Sequence, residues 1–172
     1  MYRIYPFVIL FLTTALLQVF LFDNLSVSIY LDPLVYVAFV LLLPLDIRPV
    51  TLLGAGLAMG LAMDFAMGTA GLNTVPTLLI AFVRPYLVAG LYSRDDAREG
   101  GIPSPERLGR AVFAKYVVAA VAIHHTVFFA LESLSASLLL HTALRIVASG
   151  AVTVACVRLI VSVFTAKRSV RV

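Results

Sequence analysis

Charge is scarce in this chain. Lys, Arg, Asp and Glu together make up 13% of its 172 residues, against roughly 25% in a soluble globular domain. So few charges leave little with which to clothe a water-soluble catalytic body. A single cysteine, Cys156, excludes an internal disulfide and a cysteine metal cluster. No glycine-rich phosphate loop follows a strand pattern, and no serine stands in a nucleophile-elbow context. His124, His125 and His141 lack the i, i+4 spacing that lets two histidines on one helix face share a zinc ion. Packed or rim histidines are expected, with Glu132 a hydrated carboxylate nearby. No catalytic residue, metal or cofactor is therefore expected.

What the chain has instead is hydrophobic length. Hydrophobic residues reach 62% and the mean hydropathy is +1.03. The apolar runs are continuous, unlike the alternation of a membrane β-barrel, and most approach the roughly 20 residues that a spanning helix needs. The expected fold is all-α: one transmembrane domain over 1–172, a six-helix bundle with crossings at about 4–22, 29–45, 50–67, 72–92, 111–132 and 138–165. Pro33, Pro44 and Asp32 make the second the weakest, and a re-entrant or tilted segment is the alternative there. The sixth is longer than a crossing requires, so it tilts or its end beyond Arg158 lies along the surface. The first is too long for a signal peptide, and no small-x-small site follows Phe22.

Arg3, Arg48, Arg94, Arg98, Arg107, Arg110, Lys167, Arg168 and Arg171 fall in alternate connections or at the termini, whereas 23–28, 68–71 and 133–137 hold no Lys or Arg. The positive-inside rule then places both termini, the 93–110 loop and the basic tail 166–172 in the cytoplasm. The net charge of +4 reflects this rim and its lipid headgroups, not nucleic-acid binding. The 93–110 loop balances four Arg against Asp95, Asp96, Glu99 and Glu106, and reads as a solvated connector or a docking loop. Lys115 and Arg158 are placed to snorkel toward headgroups. The seven tyrosines cluster near expected helix ends, as interfacial anchors do.

The third crossing is the most informative. Gly56, Gly60, Asp64 and Gly68 recur every four residues along one face, beside a row of Ala58, Ala62, Ala66 and Ala70. Small residues at this spacing let helix backbones approach closely in lipid. A carboxylate in such a row faces protein, because an Asp at mid-membrane costs roughly 2.5–3.5 kcal/mol. Asp64 is expected to tie the turn 68–74, including Gly71, and Arg145 into one network. Arg84, which precedes Pro85, is expected to staple the carbonyl that this proline frees; a substrate counter-charge is its alternative role.

Gly60-Leu61-Ala62-Met63-Asp64, followed by Gly68, Gly71 and Leu72, resembles the G-L-x-x-D-x-x-x-G-x-x-G-L signature of the rod shape-determining MreD family. The runs 40–44 and 80–86 look like the flanking helices of that family, so the motif-bearing part covers about 33–90. The resemblance implies a non-catalytic scaffold of the bacterial elongation machinery in the cytoplasmic membrane. Its partners would be MreC, the MreB filament, RodA and a class B penicillin-binding protein. It also implies the helical fold of the substrate-binding subunits of energy-coupling-factor transporters, where glycines around an Asp recur. A small-solute binding subunit of that kind is the alternative function. Such subunits tend to carry an Ala-xxx-Ala row on the first helix, whereas 4–22 holds only Ala15.

Overall fold

A computed structural model of the chain describes residues 4–23, 31–92, 100–133 and 139–169. All regular structure among them is helical. α1 (Tyr5–Leu16) continues as a π-helical turn over Leu17–Phe22. A short α2 (Val37–Leu41) precedes α3 (Pro49–Met67) and α4 (Thr74–Leu91). One helical turn, α5 (Pro105–Leu108), leads into α6 (Arg110–Ser133) and α7 (Leu139–Ser169). Five of these helices are long and apolar enough to cross a membrane: Tyr5–Phe22, Pro49–Met67, Thr74–Leu91, Arg110–Ser133 and Leu140–Phe164. In the bundle α3 packs on α4, α4 on α6, and α6 on α7. α1 lies at the edge, with Ile4, Tyr5, Ile9 and Phe20 among its exposed side chains.

The expected six-helix count is corrected at the second segment. Residues 31–36 and 42–48 are not helical, and only Val37–Leu41 form a helix between them. The segment nevertheless traverses the bundle. Asp32 lies 3.5 Å from Arg145 and so beside its partner Glu132, near the last residue of α6. Leu45 donates its N–H to Gly101 O at 2.9 Å, just before α5 and α6 begin. Proline bounds the segment: Pro33 and Pro44 bring no N–H and fix φ, so no helix runs through either of them, and residues 31–35 take their bonds from elsewhere in the bundle. Every residue from Pro33 to Pro44 is buried. Irregular backbone at membrane depth survives only when enclosed by protein in this way.

α7 is one unbroken helix through Ser169, so its length is not absorbed by a break beyond Arg158. Lys115 and Arg158 are exposed. The second half of the 93–110 loop is no solvated connector: Gly100, Ile102, Pro103, Ser104 and Leu108 are buried. Ser104 caps α5 by accepting the Arg107 N–H. Arg3, Arg94, Asp95, Asp96, Arg98, Glu99, Arg171 and the connections 24–28 and 134–137 lie outside the described residues.

Candidate functional site

Two polar constructions are set within the apolar bundle. The first joins α3 to α4. α3 starts with Pro49 at its first position, where the missing donor does no harm, and stops at Gly68, whose φ of +67° is a left-handed cap. Gly71 takes φ +88° in the turn that follows. The turn brings Asp64 against the start of α4. Its Oδ1 accepts from Thr69 Oγ1 at 2.5 Å, Asn73 N at 2.9 Å and Asn73 Nδ2 at 3.2 Å. Oδ2 accepts from Thr74 N at 3.0 Å and from the Thr74 hydroxyl. Asn73 does not cap α4 with its own side chain. The carboxylate of the preceding helix takes that role, at the end of α4 where backbone N–H groups lack acceptors and the dipole favours negative charge.

This contact requires the helices to be very close. A Cβ on Gly60 would sit 2.5 Å from Thr74 Cα, and one on Gly56 would sit 2.7 Å from Ala81 Cβ. The two glycines therefore serve packing, whereas Gly68 and Gly71 serve the turn through their backbone conformation. The alanine row stays outside this contact: Ala58, Ala66 and Ala70 are exposed and Ala62 is half-buried. The expected tie between Asp64 and Arg145 is also corrected. Arg145 Nη1 donates to Glu132 at 2.6 Å, Nη2 lies 3.5 Å from Asp32, and the guanidinium sits 4.5 Å from the Phe129 ring centroid. The reason is that five uncharged donors from the turn already satisfy the Asp64 carboxylate, which needs no cation for its burial.

The second construction holds the broken segment, whose backbone lacks the hydrogen bonds of a helix. At its start the substitutes come from polar side chains on neighbouring helices. Ser149 Oγ accepts Asp32 N–H at 2.9 Å, Thr153 Oγ1 accepts Leu34 N–H at 3.1 Å, and Gln18 Oε1 accepts Val35 N–H at 2.7 Å. Arg84 covers the other end. It donates to Pro44 O at 3.3 Å, to Leu41 O at 3.5 Å and to Leu43 O, while its Nε donates to Tyr116 Oη at 2.8 Å. Tyr116 in turn donates to Leu41 O at 3.0 Å. Arg84 is thus a staple, but for carbonyls at and just past the end of α2 and not for the one freed by Pro85. A cation at a helix C-terminus is electrostatically favoured, and here it offsets the burial of a side chain only 1% exposed.

The histidines complete the interior. His125 Nδ1 lies 3.1 Å from Val121 O, which can only accept, so that nitrogen carries the proton. Nε2 then accepts from the Thr153 hydroxyl at 3.1 Å, extending the chain that begins at Leu34 N–H. His124 Nε2 is 3.3 Å from Tyr36 Oη and 3.4 Å from Thr77 Oγ1, whose proton goes to Asn73 O at 2.6 Å. Tyr36 and Tyr116 are fully buried and are core hydrogen-bonders, not interfacial anchors; Tyr5 and Tyr86 are exposed.

Sequence reasoning missed Gln18, Tyr116, Ser149 and Thr153. The available signal was a polar residue isolated within an apolar span, which in lipid turns inward and finds a partner. Compared with protein-family models, curated proteins and solved structures, the chain matches none.

Proposed function

We propose that this chain is a non-catalytic membrane scaffold of the MreD type, which binds MreC and helps couple MreB filaments, RodA and a class B penicillin-binding protein to cell-wall elongation. The observation that carries the reading is the joint use of the signature residues. Gly60 permits the approach of Thr74, Asp64 caps α4, and Gly68 and Gly71 turn the chain between them. One spacing thus serves one construction, and that spacing is where the resemblance lies. In this reading the protein crosses the bacterial cytoplasmic membrane six times, counting the broken segment. Both termini lie in the cytoplasm, and the helical arrangement is that of an energy-coupling-factor substrate-binding subunit. The dense interior favours a scaffold over a solute carrier: Tyr36 and Thr77 lie against His124, Thr153 bonds His125, and all five side chains are fully buried.

The test is affinity purification from native membranes with identification of what co-purifies. Recovery of MreC together with the synthase pair supports the scaffold. Recovery of transporter ATPase subunits with a bound vitamin replaces it with the solute-binding function.

A further inference from the structure

A crevice of ≈ 550 Å³ lies between α1, the broken segment and the first turns of α3, at the end of the bundle that carries Arg48. Its walls are apolar: Phe7 and Phe11 from α1, Phe39 and Leu43 from the broken segment, and Ala55 from α3. The volume lies within the roughly 300–1,000 Å³ range of small-molecule sites. A crevice walled by hydrocarbon at the edge of a membrane helix bundle excludes water and admits an alkyl chain. Its mouth is different in kind. The exposed Arg48 lines it, beside Thr51 and at the start of α3, which no side chain caps. Asp46, on the same rim, is engaged in a contact of its own.

We propose that the crevice holds one acyl chain of a phospholipid from the leaflet at this end, with the lipid phosphate on Arg48. The apolar walls take the chain by shape, and the guanidinium takes the phosphate by charge-assisted hydrogen bonds. The free amides of the first turn of α3 add to the attraction for an anion. α1 is then a wall that lipid completes, which accounts for an edge helix packed loosely against α3. The proposal depends on membrane placement alone, so it stands or falls separately from the scaffold reading.

Native mass spectrometry of the purified full chain tests it, with two probes of identical acyl chains: palmitoyl-oleoyl phosphatidylglycerol and palmitoyl-oleoyl glycerol. The wild type is expected to retain the phospholipid about tenfold better, the lower end for one charge-assisted hydrogen bond. Arg48→Ala, an exposed change that leaves the fold intact, removes that preference without altering retention of the diacylglycerol. Ala55→Phe, which fills the crevice, lowers retention of both. Equal retention of the two lipids by the wild type overturns the proposal, as does a phosphate preference that survives Arg48→Ala. A photo-crosslinking residue at Leu12 that captures a protein segment in native membranes, and no lipid, assigns the crevice to a partner helix and also overturns it.

Discussion

The Asp64 carboxylate, near the end of α3, accepts the backbone N–H of Thr74, the first residue of α4, at 3.0 Å. A side chain of the hairpin's first arm thereby caps the start of its second. Asp64→Asn leaves a single acceptor oxygen and puts two donors before a set of donors. Hydrogen bonds to a charged group contribute about 1.5–3 kcal/mol each, so the variant is expected to lose at least one such bond's worth of stability. Thermal unfolding of the purified protein in detergent checks this. An unchanged midpoint would remove Asp64 from the architecture of the turn.

Gly60 and Gly54 make a matched pair on the same helix. Alanine at 60 would push its Cβ to 2.5 Å from the Thr74 backbone, whereas alanine at 54 meets nothing within 4 Å. Gly60→Ala is expected to destabilise by about 1–3 kcal/mol through overpacking, and to loosen the Asp64 cap as α4 moves away. Gly54→Ala is expected to be neutral or to stabilise by up to about 1 kcal/mol, since glycine is the poorer helix former. Two equal responses in the same unfolding assay would show that α3 does not depend on close approach at Gly60.

The contrast between these glycines shows what the sequence made legible. Spacing of four marked the buried face of α3 and put Asp64 on it, because helix geometry alone decides which side chains share a face. The broken segment was harder to read. Its hydropathy resembles that of a spanning helix, and hydropathy does not record hydrogen bonds. Pro33 and Pro44 signalled an interruption, but the donors and acceptors that replace the helix ladder come from Gln18, Arg84, Tyr116, Ser149 and Thr153, all distant in sequence. Arg145 was given the wrong acid for the same reason. Which of Asp32, Asp64 and Glu132 it meets is decided by tertiary packing, not by periodicity.

Arg145 and Asp64 belong to separate networks, so their substitutions should not interact. In a double-mutant cycle Asp64→Asn with Arg145→Ala is expected to be additive within about 0.5 kcal/mol, as for sites without shared partners. Glu132→Gln with Arg145→Ala is expected to couple weakly, by about 0.2–1 kcal/mol, because that pair is partly exposed and screened. Raised salt should shrink the second coupling and leave the first at zero. A strong coupling between Asp64 and Arg145 would contradict the separation.

Thr153 sits between two buried groups, accepting from Leu34 N–H and donating to His125 Nε2. Thr153→Val keeps the shape and removes both bonds, leaving a backbone donor without an acceptor at a cost of about 1–3 kcal/mol. The effect should be local. Hydrogen exchange by mass spectrometry is expected to show faster exchange across 31–36, with α6 protected as before. Uniform loosening of the whole bundle would mean that the broken segment is not held from α7.

Arg84 brings the largest expected loss. Its guanidinium serves three carbonyls and the Tyr116 hydroxyl at once, a fan of acceptors that only a planar, multi-donor cation spans. Arg84→Lys keeps the charge but presents a single point of donation, so at least one of the bonds to Leu41, Leu43 and Pro44 is lost, together with the one from Nε to Tyr116. At about 1.5–3 kcal/mol for each lost hydrogen bond to a charged group, the lysine variant is expected to fold with reduced stability. Arg84→Met removes every guanidinium bond, strands Leu43 O, leaves Leu41 O on Tyr116 and Pro44 O on the Ile47 N–H alone, and is expected to lower the yield of folded protein sharply. Tyr116→Phe, which removes one link and leaves the guanidinium on its carbonyls, should fall between wild type and Arg84→Lys. That order, read from unfolding midpoints and from exchange across 42–48, separates a staple from a simple buried charge. If charge alone mattered, lysine would match arginine and Tyr116→Phe would have no effect.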